Sequence, residues 1–492
     1  MNVYDDVLDP TVVSHSITGY FTTSEYEELL TVRTNVLSVY RVDESAKLFL
    51  TNEFKFHGKI TDLALIPQVN SSLDCLLLCT SIAKVSIVKF DPLSNSIETA
   101  SLHYYEDKFR DLSLLEIAQQ SHFRLDPSKR CAIILNNDVL ALLPFRAATD
   151  DDEEADAENN DVKRMKTSSD KVTYPSKIFV AKELHSEIRN VIDVQFLNNF
   201  SKPTIAILFE PTLIWAGNRQ LNPQPISYMI FTLEISSTDN TTKFGATTIG
   251  KLTGLSWDFH SLVPISNGCM IVGANELAFA DNSGALQSVI LLNSFSDRNL
   301  RQGRIIDNSK YEILLPQSIA RCWSPPTSDK VNDETLLLMD ANSNVYYVQL
   351  ESEGRLLIKF DIIKLPIVND TLKNNQGCTC MSRLNSRSSN NNMDLLMGFK
   401  SGDALVVRLN NLKSAAESRD EHKIFSEAME SSFDKDEDED NLYSDEASDA
   451  GKADDNKEVI VETVTPFDIE LLSTIKNIGP ITSLAVGKVC SV

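Results

Sequence analysis

The sequence lacks the features of membrane proteins and of most secreted proteins. None of its apolar runs approaches the about 18 residues that a membrane-spanning helix needs. The longer runs, such as 205–209, have only the length of a strand. The chain starts with MNVYDD, which contains neither the basic nor the apolar segment of a secretory signal. We therefore expect an unsecreted protein without a membrane span.

Motifs of the common catalytic and metal sites are also missing. The sequence contains no G-x-S-x-G, no glycine-rich phosphate-binding loop and no H-E-x-x-H. None of the seven histidines has a second histidine or a cysteine at the spacing of a metal ligand set. The close thiol pair Cys378 and Cys380 is one residue short of a CxxC motif and has no companion pair. We expect no catalytic residue, no cofactor and no metal.

Disulfides are not expected either, although the chain has eight cysteines. Cys75, Cys79, Cys131 and Cys269 lie inside apolar strand patterns, where a reduced thiol behaves as a small hydrophobic side chain. In an unsecreted protein this pattern indicates the cytosol or the nucleus.

Negative charge is abundant, but it is concentrated in two segments. Residues 149–161 contain eight acidic residues and no basic one, and residues 434–458 contain twelve acidic residues and three lysines. These segments supply −8 and −9, which is 17 of the 24 net negative charges of the chain. Such like-charged segments without apolar periodicity do not pack into a core. We therefore predict two disordered acidic insertions, at 149–172 and 413–457, the second with a short helix over 415–429.

A small basic cluster, Lys163, Arg164 and Lys166, ends the first insertion. Three basic residues within four positions are compatible with a nuclear localisation signal, although such clusters also arise by chance.

One short pattern recurs seven times: an apolar run, a polar turn and a second apolar run with alternating character. Aliphatic and β-branched residues bounded by turn formers are typical of β-hairpins. The copies begin about 46 to 73 residues apart, which is the scale of propeller blades. They span residues 29–42, 75–90, 131–145, 204–215, 269–280, 336–350 and 395–409.

This repetition predicts an all-β fold, a seven-bladed β-propeller with the two acidic insertions outside it. After the second insertion, residues 458–464 alternate as a strand and residues 471–475 form another candidate strand. We assign residues 1–476 to the propeller and residues 477–492 to the entry of a second, truncated propeller. A final apolar stretch without a partner strand suggests the N-terminal portion of a longer protein.

Contacts to RNA or to partners would need exposed basic residues, and the candidates are few. The strongest form two clusters, one with Arg124, Lys129 and Arg130 and one with Arg298, Arg301 and Arg304. Nucleic-acid binding requires a basic track with stacking aromatics. The alternative, which we favour, is that both clusters are solvated charges on blade loops. Because the body is mildly acidic, we expect this chain alone to bind RNA weakly.

Several stretches look familiar together: 101–106 (SLHYYE), 124–127 (RLDP), 130–132 (RCA), 142–146 (LLPFR), 190–197 (NVIDVQFL), 203–211 (PTIAILFEP) and 477–480 (NIGP). In this order they resemble one known family, the large (160-kDa-type) subunit of cleavage and polyadenylation specificity factor in its fungal form. The resemblance covers about residue 17 to the end, apart from the insertions. Residues 192–204 are similar to a wider group of triple-propeller scaffolds, whereas 101–106 and 124–132 are typical of the polyadenylation branch.

The resemblance implies a non-catalytic, nuclear scaffold for pre-mRNA 3′-end cleavage and polyadenylation. The family fold has three seven-bladed propellers and a helical C-terminal domain, of which this chain would be the first propeller. Implied partners are a WD-repeat subunit, a CCCH zinc-finger subunit, the poly(A) polymerase module and, directly or indirectly, pre-mRNA. The alternatives are a triple-propeller adaptor of a cullin ubiquitin ligase, of the damaged-DNA-binding type, and a splicing-factor propeller subunit.

Overall fold

The structure, a computed structural model, contains strands in seven separate sheets over the residues that it describes. It describes residues 9–478 except 44–46, 69–70, 81–83, 113–120, 147–171, 213–223, 239, 297–303, 308, 310–311, 315–317, 323–331, 354–355, 366–374, 385–391 and 411–467. Each sheet is built from consecutive strands of the chain. Hydrogen-bonded neighbours run antiparallel, except that β21 pairs parallel with β20.

The strands follow one another in chain order and are grouped here by sheet. Sheets 1 to 3 contain β1 (His15–Gly19), β2 (Glu28–Arg33), β3 (Val36–Val42) and β4 (Leu48–Lys55); β5 (Ile60–Pro67), β6 (Asp74–Thr80), β7 (Lys84–Asp91) and β8 (Ser96–Tyr104); and β9 (His122–Leu125), β10 (Cys131–Asn136), β11 (Val139–Pro144) and β12 (Lys177–Val180). Sheets 4 and 5 contain β13 (Val191–Phe196), β14 (Thr204–Phe209), β15 (Ile226–Ser237) and β16 (Thr242–Leu255); and β17 (Phe259–Ile265), β18 (Gly268–Gly273), β19 (Glu276–Asp281), β20 (Leu286–Leu291) and β21 (Arg304–Asp307).

Sheets 6 and 7 complete the set. They contain β22 (Ser318–Cys322), β23 (Asn332–Met339), β24 (Val345–Glu353) and β25 (Leu356–Lys364); and β26 (Gln376–Arg383), β27 (Met393–Ser401), β28 (Ala404–Asn410) and β29 (Asp468–Ile475). Helical structure in the described part is limited to α1 (Glu106–Leu112) and a 3-10 turn (Ala181–Glu183). No helix there is long and apolar enough to cross a membrane.

Six of the seven predicted hairpins are confirmed as the two middle strands of a sheet, in sheets 1, 2, 3, 5, 6 and 7. The prediction of the fourth hairpin is partly wrong. Strand β14 forms as predicted, but it pairs with β15, where Phe209 lies opposite Ser227. The return run predicted at 213–215 lies outside the described residues. Strand β15 replaces it because it offers a longer apolar run, buried over its first six residues.

The middle strands do not show the alternation of exposed and buried residues that a half-buried sheet would have. Every residue of β11, β14, β18 and β19 is buried. The outermost strands β4 and β8, in contrast, alternate between exposed and partly buried positions. A sheet covered on both faces produces this difference, since its central strands then contact protein on either side.

The covering partners are the neighbouring sheets, and the contacts close into a ring. One cluster of buried apolar side chains lies between each successive pair of sheets, from sheets 1 and 2 through sheets 6 and 7. A further cluster joins sheet 7 to sheet 1, with Leu396 and Val406 packing against Leu29 and Tyr40. The predicted all-β propeller is confirmed.

Polar contacts reinforce the junction between sheet 7 and sheet 1. The Thr379 hydroxyl donates to the Val13 carbonyl at 2.6 Å. The hydroxyl oxygens of Ser16 and Ser382 lie 2.6 Å apart, and Ser382 also donates to the Ser16 carbonyl at 2.9 Å. These residues are separated by 366 positions in sequence, so the two ends of the ring meet through them.

Several predicted segments lie wholly or largely outside the described residues: the acidic insertions, the helix at 415–429, the strand at 458–464 and the stretch after Ile478. At the end of the first insertion the structure resumes at Val172, which packs against the cluster between sheets 2 and 3. Strand β29 confirms the candidate strand at 471–475. The domain boundary at 476/477 stays a prediction, although Asn477 still bonds to sheet 7 through Asp403.

Two glycines of β16 provide a test of how closely the sheets approach each other. A Cβ at Gly250 would overlap the Ser283 carbonyl in the β19–β20 turn of sheet 5, whereas a Cβ at Gly245 would lie 3.8 Å from its nearest neighbour. We expect Gly250→Ala to lower the free energy of unfolding by about 2 kcal/mol or more, because backbone must move.

Gly245→Ala is the matched control in the same strand, and we expect it to raise stability by about 0.5 kcal/mol. Chemical denaturation of the two variants measures the difference. Equal stabilities would mean that β16 and the β19–β20 turn are not in contact.

Candidate functional site

The inner edge of the ring carries a chain of charged side chains centred on Arg124. The first strands of adjacent sheets contact one another, among them β5, β9 and β13. From β9, the Arg124 Nη2 donates to Asp193 Oδ1 at 2.9 Å and its Nη1 lies 3.6 Å from Asp62 Oδ2. Its Nε donates to the Val194 carbonyl at 3.1 Å. One guanidinium therefore joins sheets 2, 3 and 4.

Asp193 extends this chain to sheet 5. Its side chain is 3% exposed, so an unpaired charge there would be costly. Besides Arg124, its Oδ1 accepts from the Val194 amide at 2.8 Å and its Oδ2 from the Leu262 amide at 2.9 Å. Three groups thus donate hydrogen bonds to this buried carboxylate.

The other titratable groups near Arg124 have displaced pKa values. Burial raises the pKa of Asp62, and the positive charge of Arg124 partly offsets that rise. Burial lowers the pKa of His15 on β1 and of His122 on β9, which keeps both imidazoles neutral at physiological pH. The inner edge therefore contains one cation between two carboxylates.

Arg130 has a separate structural role at the β9–β10 turn. Its Nε and Nη2 donate to the two oxygens of Asp126 at 2.7 and 2.9 Å, and the Asp126 side chain is fully buried. Its Nη1 donates to the Ser201 carbonyl at 2.5 Å in the β13–β14 turn of sheet 4. Lys129, beside it, is exposed and has a φ of 55° in the turn.

The predicted basic cluster is therefore not a continuous track. Arg124 joins sheets through Asp62 and Asp193, whereas Arg130, held by Asp126 of its own turn, joins them through the Ser201 carbonyl. The interpretation of these two as solvated loop charges is therefore wrong, and only Lys129 fits it. Arg304 is exposed on β21. Arg298 and Arg301, and the localisation candidates Lys163, Arg164 and Lys166, lie outside the described residues. Contacts of these residues to RNA, partners or import factors stay predictions.

Sequence reasoning missed a groove between sheets 3 and 4, with a volume of about 620 Å³. Its residues come from six separate stretches of the chain, so no local motif predicts it. Apolar and aromatic side chains form much of its wall, and charged side chains include Arg130, Lys202, Glu234 and Lys243. The apolar part consists of Pro144, Phe145, Tyr174, Pro203, Leu233, Ile235 and Phe244.

The cysteines have the predicted role of core side chains where the structure describes them. Cys75, Cys79, Cys131, Cys269, Cys378 and Cys380 are free thiols, and all but Cys380 are fully buried. Burial raises the pKa of Cys75 to about 11 and that of Cys79 to about 12, so neither is a thiolate at neutral pH. Within the described ranges no three His, Cys, Asp or Glu side chains are grouped as a metal site would require.

The inner ionic chain makes a prediction about stability. We expect Arg124→Met to lower the free energy of unfolding by about 3 kcal/mol, because Asp193 would lose its cation while remaining buried. The control Lys202→Met removes an ion pair to Glu234 whose side chains are 57% and 60% exposed. We expect that change to lower the free energy of unfolding by about 0.5 kcal/mol or less. Urea denaturation compares them, and equal losses would contradict the role given to Arg124.

Comparisons with known proteins agree with the architecture. The family described as "RSE1/DDB1/CPSF1 first beta-propeller" matches residues 12–424. The chain is 54% identical to Protein CFT1 of Saccharomyces cerevisiae over 522 aligned positions, covering 100% of this chain and 38% of the relative. It is 41% identical to Protein CFT1 of Kluyveromyces lactis, covering 100% of this chain and 36% of the relative.

A third relative, Protein CFT1 of Candida glabrata, is 40% identical over 100% of this chain and 38% of its own length. The chain thus spans little more than a third of the curated relatives that it matches. The predicted resemblance to the large subunit of the polyadenylation factor is confirmed. With its ring of antiparallel sheets and these matches along its length, the chain belongs to the RSE1/DDB1/CPSF1 β-propeller family.

Proposed function

We propose that this chain is part of a non-catalytic scaffold subunit of the nuclear machinery that cleaves and polyadenylates pre-mRNA 3′ ends. The observation that carries the proposal is the 54% identity to Protein CFT1 across the whole chain. Because that match covers 38% of the relative, the function refers to the longer protein rather than to this chain alone. Its partners would be the WD-repeat and CCCH zinc-finger subunits and the poly(A) polymerase module.

The architecture supports a scaffold. Each of the seven sheets would count as one blade of a seven-bladed ring, the first of three propellers in the family fold. A ring whose sheets are buried on both faces is rigid, and it presents seven outer edges and many turns to partners. Deeply buried carboxylates are engaged in structural contacts: Asp193 bonds to neighbouring sheets, and Asp126 holds Arg130 of its own turn. These buried carboxylates therefore stabilise the ring.

Direct RNA recognition by this chain is less favoured. Arg124 and Arg130 are already paired with carboxylates, so their charge is not available to neutralise phosphates. Exposed Lys129 and Arg304, together with Arg298 and Arg301, are the remaining candidates. We infer that contact with pre-mRNA occurs chiefly through the subunits that the scaffold holds.

Affinity purification of the full-length protein from nuclear extract tests the proposal. We expect the 3′-processing subunits and poly(A) polymerase to be recovered, and we expect nuclease treatment to leave them bound because protein surfaces hold the assembly. The same tag on an unrelated nuclear propeller protein is the control. Recovery of a cullin or of splicing subunits in their place would overturn the proposal in favour of an adaptor or splicing role.

A further inference from the structure

The groove between sheets 3 and 4 has an apolar wall that is continuous with the hydrophobic core. The Phe244 ring stacks on Phe179 with ring centroids 4.5 Å apart and an interplanar angle of 19°. Ile235 and Phe244 pack against the cluster between the two sheets, so the wall continues the hydrophobic core outward. Phe145 and Tyr174 complete it from sheet 3. Apolar grooves of this size are typical of ligand and peptide sites.

Two hydrogen bonds fix the groove by tying its walls together. Arg130 donates to the Ser201 carbonyl at 2.5 Å, and Arg130 is itself held by Asp126. Elsewhere on the same pair of sheets, the Thr242 hydroxyl donates to the Pro175 carbonyl at 2.6 Å, joining the β15–β16 hairpin to sheet 3. A preformed groove of this kind loses little conformational entropy on binding.

The charge of the groove has the opposite sign to the charge of the chain. Its lining includes three basic residues, Arg130, Lys202 and Lys243, and one acidic residue, Glu234. Because Asp126 neutralises Arg130, the balance is +1 against −24 for the whole protein. A further cation, Arg146, lies over the Tyr174 ring at 4.9 Å from its centroid. In the described part of the chain, Lys243 has no ion pair. The positive balance is complementary to an acidic ligand.

We propose that this groove is a docking site for an acidic peptide segment of a partner protein, anchored by an aromatic or aliphatic side chain. The anchor packs against Ile235, Phe244 and Tyr174, while carboxylates meet the rim lysines. A nucleic acid fits less well, because Glu234 lies among the rim cations and because prolines and aliphatic side chains are four of the seven apolar lining residues. The inference rests on the proposed scaffold function, for which it supplies one partner surface.

Fluorescence anisotropy with the chain 1–492 tests the site, using a short labelled peptide in which Asp and Glu alternate with Phe and Leu. We expect saturable binding that Lys202→Glu weakens about fivefold at low salt, since charge pairs at the rim of an interface have modest energies. Lys89→Glu is the matched control, because Lys89 forms a similarly exposed pair with Glu98 on sheet 2. It should leave the affinity unchanged.

A second variant tests the apolar wall. Ile235→Thr keeps a β-branched residue in the strand, and we expect it to weaken peptide binding about fivefold while thermal unfolding shows a folded protein. A peptide with Lys in place of Asp and Glu should not bind. The proposal is overturned if the acidic peptide does not bind, if Lys89→Glu weakens it as much as Lys202→Glu, or if single-stranded RNA displaces it.

Binding that appeared only after deletion of residues 149–171 would also overturn it, because the occupant would then be the acidic segment of this chain. Absence of peptide binding with normal recovery of 3′-processing subunits would reject the groove alone. If the purification failed to recover those subunits while this chain still bound the peptide, the proposed function would be rejected instead.

Discussion

Every sheet of this protein depends on its two neighbours, because its middle strands are buried on both faces. A strand such as β14, with all six residues buried, would expose an apolar surface if either adjacent sheet were missing. The first and last sheets are no exception, since Leu29 and Tyr40 are covered by Leu396 and Val406. Closure of the ring is therefore the condition on which the stability of each sheet rests. The buried charges depend on it too, since Arg124 finds its carboxylates only on adjacent sheets.

Local features of the fold could be predicted from the sequence, whereas contacts between sheets could not. The hairpins follow from apolar runs and turn formers within a few residues, and six of the seven occur where the pattern placed them. The fourth failed because an apolar run at 213–215 directly follows the turn formers at 210–212, whereas the strand that pairs with β14 begins only at Ile226. Arg124 and Asp193 lie 69 positions apart, and the groove is lined by residues from six stretches of the chain. Their proximity is a property of the closed ring, not of any segment.

The same closure gives the proposed functions a physical basis. Inter-sheet bonds hold the turns in fixed relative positions, as Arg130 does between the turns of sheets 3 and 4. A surface composed of residues from two sheets, such as the groove, keeps its shape only while those bonds persist. A rigid ring can thus present composite surfaces to several partners at once, which a scaffold of 3′-end processing would require. Arg124 and Arg130, two of the basic residues considered for RNA contact, instead maintain that rigidity.

Closure between sheets 1 and 7 can be measured directly by cross-linking. The hydroxyl oxygens of Ser16 and Ser382 lie 2.6 Å apart, close enough for a disulfide between cysteines at these positions. The double variant Ser16→Cys/Ser382→Cys should form this bond on mild oxidation without loss of folding, as detected by non-reducing electrophoresis and peptide mass spectrometry. The control pair Ser237→Cys/Ser382→Cys, with Ser237 on sheet 4, should not. Failure of Ser16→Cys/Ser382→Cys to cross-link in a folded protein would contradict ring closure.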